Sequence, residues 1–152
     1  MTETINGGNI LTPGKVYTIS NEDVLLNAAT MAVFTIAGGA IEILSYFGQC
    51  TTILGSPSNT KVGIDALAGE AYDGDFSTAV DCDGVIEGGT IRFLHTDSES
   101  VMDITSKENA GSPLSWFCPA GNIINTHTSA TGAITWYMTF RPLDAGVSVI
   151  AT

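Results

Sequence analysis

Apolar and polar residues alternate along this chain with a period of two, most clearly from Gly132 to Pro142, GAITWYMTFRP. Ile134, Trp136, Met138 and Phe140 fall on one side, and Thr135, Tyr137, Thr139 and Arg141 on the other. Successive strand side chains point to opposite faces, so the spacing gives one buried and one solvent-tolerant face. A helix would scatter the same four apolar residues around its circumference. The residue types agree, being β-branched or aromatic almost throughout. Gly132 opens the run, and Pro142, with no N–H to donate, closes it. A strand of this length with Trp and Phe inward predicts the middle of a sheet.

Shorter runs of the same kind precede and follow it. Val16 to Ser20 reads as a strand ended by an Asn21-Glu22-Asp23 turn. Val24 to Ile41 carries no charge over 18 residues. That is the lower limit for a membrane-spanning helix, but basic flanks and aromatic anchors are missing, and Gly38-Gly39 splits the run where a hairpin would turn. Two buried strands are the expectation. Ala40 to Phe47 continues past a bulge at Gly48 into Gln49 to Leu54. Lys61 to Leu67 turns Val62, Ile64 and Ala66 inward. Phe76 to Val80, Thr90 to Thr96, Ser100 to Ile104, Trp116 to Pro119, Asn122 to Thr128 and Val147 to Thr152 complete the set. Roughly ten short strands without a helical pattern predict one all-β domain, an antiparallel β-sandwich or barrel of jelly-roll-like kind.

Residues 1–14 are turn-rich, with Asn6-Gly7-Gly8-Asn9 and Thr12-Pro13-Gly14, and read as an arm ahead of a domain at 15–152. Ile5, Ile10 and Leu11 have no core of their own within such an arm. Val147, Val149 and Ile150 lie in a terminal strand whose outer edge must be paired or covered. These six are the interface candidates, and removing the arm is expected to leave folding intact.

The chain has 152 residues, enough for one domain with a real core. Its net charge of −11, five Lys and Arg against sixteen Asp and Glu, argues against a phosphate backbone or an anionic membrane surface as partner. A neutral or basic protein partner suits it better. The start, MTETINGGNI, lacks the basic and apolar segments of a signal peptide. Cys50, Cys82 and Cys118 are far apart with no Cys-x-x-Cys, and read as free thiols filling the core in a reducing compartment.

Candidate chemistry is sparse. His95 and His127 have no patterned partners and read as structural. Neither Ser115 nor Ser129 lies in a Gly-x-Ser-x-Gly elbow. Gly38-Gly39 and Gly88-Gly89 lack the Lys-Ser/Thr of a phosphate loop. Asp73-Gly74-Asp75 and Asp81-Cys82-Asp83-Gly84 offer oxygen ligands for calcium, yet neither continues as an EF-hand loop, so solvated acidic loops are expected. The cysteine spacing gives no structural zinc site. Trp116 or Tyr72 could serve as a stacking platform in a carbohydrate- or receptor-binding sandwich. No catalytic set, cofactor or metal is expected.

Four stretches in order carry a further signal: Gly38-Gly39-Ala40-Ile41-Glu42-Ile43-Leu44; Gly48-Gln49-Cys50-Thr51-Thr52-Ile53; Cys118-Pro119-Ala120-Gly121-Asn122-Ile123; and Thr131-Gly132-Ala133-Ile134-Thr135-Trp136 with Arg141-Pro142-Leu143-Asp144-Ala145-Gly146-Val147. Together they resemble a group of small virion proteins of tailed phages, over residues 38–152. The chain departs from the group's pattern in Val147, where alanine usually follows the glycine, and in Cys50, where valine is common. The resemblance implies a non-enzymatic structural or minor capsid protein, similar to decoration (cement) proteins that bind the outside of the head. It implies the major capsid protein as partner, a homotrimer, and a place on the virion surface after assembly in the host cytoplasm. A head-fibre or tail component is the close variant. No catalytic residues carry over from the group.

Overall fold

The computed structural model describes residues 2–26, 29–67, 74–75, 79–92, 94–95, 102–103, 116–128 and 131–152. All regular structure among them is β. The strands are β1 (Glu3–Thr4), β2 (Tyr17–Leu25), β3 (Thr30–Ala37), β4 (Ile41–Thr52), β5 (Asn59–Ala66), β6 (Gly74–Asp75) and β7 (Val80–Asp81). They continue with β8 (Thr90–Arg92), β9 (Leu94–His95), β10 (Met102–Asp103), β11 (Trp116–Cys118), β12 (Gly121–His127), β13 (Ala133–Pro142) and β14 (Ser148–Ala151).

Two sheets form. The first runs β1-β2-β13-β4-β11, with β8 also on β4; the second runs β14-β3-β12-β5-β6, with β7 also on β5. β9 and β10 pair separately. Every pairing is antiparallel except that of β1 with β2. β6 and β7 follow one another along β5, and β8 and β11 along β4, so each pair occupies one strand position. The frame is therefore four positions facing four, β2-β13-β4-β8/β11 against β3-β12-β5-β6/β7. β2, β3, β4 and β5 alternate between the sheets, β12 returns beside β5, and β13 crosses back, which is the jelly-roll arrangement of two Greek keys. The sheets stack as a sandwich and do not close into a barrel.

β13 lies between β2 and β4 as its alternation predicts, and Ile134, Trp136, Met138 and Phe140 are fully buried. Opposite them the second sheet contributes Phe34, Ile36, Ile64, Ile123 and Val149. Rings join the two layers: Phe34 meets Tyr46 edge-on at 6.1 Å, and Tyr46 stacks on Trp136 at 5.4 Å. Such aromatic pairs add about 0.5–1.5 kcal/mol beyond the area they bury.

Three local expectations are corrected. Asn21-Glu22-Asp23 is not a turn ending a strand but a bulge inside β2, where the β13 partner steps from Trp136 to Ile134. Asp23 takes the left-handed φ of 49° that the bulge requires, a conformation Asp tolerates. Asn21 then donates to the carbonyls of Val33 (2.9 Å) and Thr152 (2.8 Å), tying the first sheet to the second. Gly38-Gly39 is not a hairpin turn but a corner between sheets, since β3 and β4 belong to different layers. A Cβ at Gly38 would lie 2.1 Å from the Gly146 carbonyl oxygen. Gly48 is no bulge: it is an ordinary ladder position opposite Trp136, and a Cβ there would sit 2.7 Å from the indole ring.

Candidate functional site

The N-terminal arm is a strap. Glu3 and Thr4 pair in parallel with Tyr17 and Thr18, and Ile5 N–H donates to the Thr18 carbonyl at 2.9 Å. The chain then crosses to the other layer. Gly8 N–H donates to Val149 O (3.2 Å), Leu11 N–H to Val147 O (2.8 Å) and Gly14 N–H to Pro142 O (2.9 Å). One segment thereby covers the outer edges of β2 and β14, edges that would otherwise present unpaired backbone groups. Lys15 closes the loop with an ion pair to Glu3.

This placement sorts the six interface candidates. Ile5 and Leu11 are 8% and 4% exposed and belong to the core, so the expectation that the arm has no core to bury them is corrected. Val147 and Val149 are fully buried beside them. Ile10 (78% exposed) and Ile150 (42%) are the two that face outward, from adjacent segments of the strapped edge. The alternation explains the split, because once Leu11 is inward and bonded to Val147, its neighbour Ile10 points out.

The stretches that carry the resemblance meet at the two ends of the sandwich. At one end Ala40 N–H donates to the Asp144 carboxylate (2.8 Å), Leu143 N–H to Ala40 O (3.0 Å), and Gly38 abuts Gly146. The third stretch reaches the same end, with Cys118 opposite Ile41 and Gly121 against Asp65 and Ala66. At the other end Gly132 abuts Ile53 and Leu54, and Gly55 N–H donates to Thr131 O (3.3 Å). These residues are joints where backbones approach closely.

Cys50, Cys82 and Cys118 are buried free thiols. Burial raises the pKa of all three, Cys82 to about 11 and Cys118 to about 12, which removes the thiolate that reactive chemistry needs. Asp83 accepts from Ser56 (2.9 Å) and from the Ser58 N–H, and Asp81 accepts from the Asp83 N–H (2.9 Å), so these carboxylates tie down a loop. Among the described residues no group of three His, Cys, Asp or Glu is gathered about a common point. Also among them, no helix is long and apolar enough to cross a membrane. Asp75, His95 and Trp116 occupy β6, β9 and β11. Tyr72, Asp73, Ser115 and Ser129 lie outside the described residues.

A buried polar seam runs along the inner face of β12. Ile123, Asn125 and His127 all point inward, as their spacing of two requires. Asn125 Oδ1 accepts from the Tyr46 hydroxyl at 3.0 Å across the sandwich, and His127 lies 6.2 Å from the Trp136 ring. Asn125 Nδ2, His127 Nε2 and Thr60 Oγ1, which sits opposite His127 in the ladder, have no hydrogen-bond partner among the described residues. Buried atoms of this kind are the usual anchors of internal water. The reading of this strand by composition missed the seam; following the period of two onward from Ile123 finds it.

Burial lowers the His127 pKa from 6.5 to about 4. The unfolded chain therefore binds a proton near pH 6.5 that the folded chain refuses until about pH 4. Stability is full above pH 6.5 and falls as the pH drops through this window. The slope is about 1.4 kcal/mol per unit at most, or roughly 3 kcal/mol in all. Urea unfolding from pH 7.5 to 4.5 is expected to show this loss in the wild type and a flatter profile in His127→Gln. Parallel profiles for the two proteins would remove His127 as the cause.

Compared with protein-family models, curated proteins and solved structures, the chain matches none.

Proposed function

We propose that this chain is a non-enzymatic structural protein of a tailed-phage virion, a decoration protein binding the outside of the assembled head through the major capsid protein. The supporting observation is that the four stretches behind the resemblance, scattered over residues 38–147, meet as two glycine-lined joints. They lie on paired strands and act as parts of one frame. The homotrimer and the virion location follow from the resemblance to decoration proteins. The mechanism is static. A protein that binds only the assembled lattice stabilises it by mass action.

The attachment surface narrows to the strapped edge, where Ile10 and Ile150 stand exposed after their neighbours have gone into the core. Co-sedimentation with undecorated heads is expected to show binding to heads and none to free capsid subunits. Ile10→Asp with Ile150→Asp should weaken it at least tenfold while leaving the melting temperature within a few degrees, since neither side chain is buried. Equal binding to free subunits, or no binding to heads, overturns the reading. A few copies at one vertex in electron cryomicroscopy of the particle would move the protein to a head fibre or tail.

A further inference from the structure

The outer face of the first sheet has a composition that the fold does not require. Its cross-strand rungs can be read directly from the register. One is Ser20–Tyr137–Phe47–Arg92; flanking it are Thr18–Thr139–Ser45 on one side and Thr135–Gln49–Thr90 on the other. At the centre the Tyr137 and Phe47 rings stack, 4.9 Å apart and 18° from parallel. That separation equals the spacing of neighbouring strands, so the rings stand side by side as a ridge. One flank of the ridge faces the hydroxyls of Ser20 and Thr18, and the other faces Arg92. Both rings are half-buried, while Ser45, Gln49, Thr90 and Arg92 are exposed.

Charge sets this face apart. The chain carries −11, yet these three rungs hold no carboxylate, and their one ionic side chain is Arg92. The nearest acid further along the ladder, Glu42, is ion-paired with Arg141. Glu22 and Asp23 lie in the β2 bulge at the edge of this face, where the Asp23 N–H donates to Thr135 Oγ1 (3.1 Å). The outer face of the second sheet shares the threonine habit, in Thr30–Thr126 and Thr35–Asn122, but places Lys61 and Asp65 in those rungs and has no aromatic pair among the described residues. Among the described residues, these three rungs thus keep carboxylates off one hydroxyl-rich, aromatic-centred surface of an acidic protein.

We infer that this face, centred on Tyr137, Phe47 and Arg92, is a binding surface for a glycan chain. A pyranose ring offers an apolar C–H face and a rim of hydroxyls. The ridge supplies aromatic flanks for the first, and Ser20, Thr18, Ser45, Gln49 and Arg92 supply donors and acceptors for the second. Tyr, Phe and Arg are also common at protein-docking surfaces, but Ser is depleted from those and Ser and Thr are rare among their hot spots, so it is the hydroxyl-rich rim that favours a glycan. Nucleic acid would require clustered cations, and this face has one. Arg92 and the lack of carboxylates also admit a glycan bearing acid groups.

The inference does not rest on attachment to a capsid, and its test needs none. The purified chain is applied to a printed array of defined neutral and acidic oligosaccharides, and the tightest-bound one is titrated calorimetrically. Saturable binding is expected, weakened at least tenfold by Tyr137→Ser, by Phe47→Ser and by Arg92→Ala, each checked for an unchanged fold by circular dichroism. Lys61→Ala, on the other sheet's outer face, should bind as the wild type does. Silence across the whole array overturns the inference. So does binding that survives all three variants, or that Lys61→Ala abolishes.

Discussion

Replacing Trp136 with alanine is expected to destabilise the domain by about 3–5 kcal/mol, the largest effect of any single truncation in this core. The indole is fully buried in the central strand. It stacks on Tyr46, stands 6.2 Å from His127, and fills the space that Gly48 leaves on the neighbouring strand. Its loss would leave a cavity that β4 and β12 cannot both collapse into, because each is held along its length by a neighbouring strand. Trp136→Phe keeps the stacking and most of the volume, and should cost about half as much. Guanidinium denaturation checks both. A loss under about 1 kcal/mol for the alanine variant would contradict the position given to the ring.

Deleting residues 2–14 is expected to lower the melting temperature by about 5–10 °C and to promote association. Burial of Ile5 and Leu11 stabilises the fold by about 3–6 kcal/mol together, offset in part by the entropy lost in ordering the strap. The deletion also strips donors from the carbonyls of Thr18, Pro142, Val147 and Val149. The Thr18 and Val149 carbonyls then lie on the open edges of β2 and β14. Thermal unfolding and sedimentation velocity read the two consequences separately. A truncated chain with unchanged melting and unchanged sedimentation would mean that the strap holds nothing.

Much of the frame was legible in the sequence because period-two alternation is a local signal. β13 was readable with its buried face, as were the inward Val62 and Ile64 of β5 and the all-β class. What stayed hidden depends on partners far away in the chain. Gly38-Gly39 has the composition of a hairpin turn, and nothing nearby says that β4 leaves for the other sheet. Asn21-Glu22-Asp23 is built of turn residues, and only the opposing β13 makes it a bulge. Gly48 resembled a break because its purpose, room for Trp136, lies 88 positions on. Ile5 and Leu11 looked surplus because the edges that bury them belong to β2 and β14. For the candidate surfaces the same logic holds. Tyr137 reads as outward from its own strand, whereas alternation from Ile41 and Ile43 puts Phe47 on their inward face; the bulge at Leu44 opposite β13 turns Phe47 out, and the pairing of the two rings is a matter of register between distant strands.

The strand order also governs when the molecule can form. None of β2, β3, β4 and β5 pairs with another of the four: β13 separates β2 from β4, and β12 separates β3 from β5. A chain growing from its N-terminus therefore carries four long strands with no partners among themselves. Both central ladders wait for residues 121–142, the last fifth or so of the sequence. Contacts this distant in sequence make folding slow compared with a helical protein of equal stability. Until β12 and β13 emerge, the uncharged run through β3 and the apolar face of β4 stay open to other molecules, and neither sheet can be completed before these two keystone strands are made.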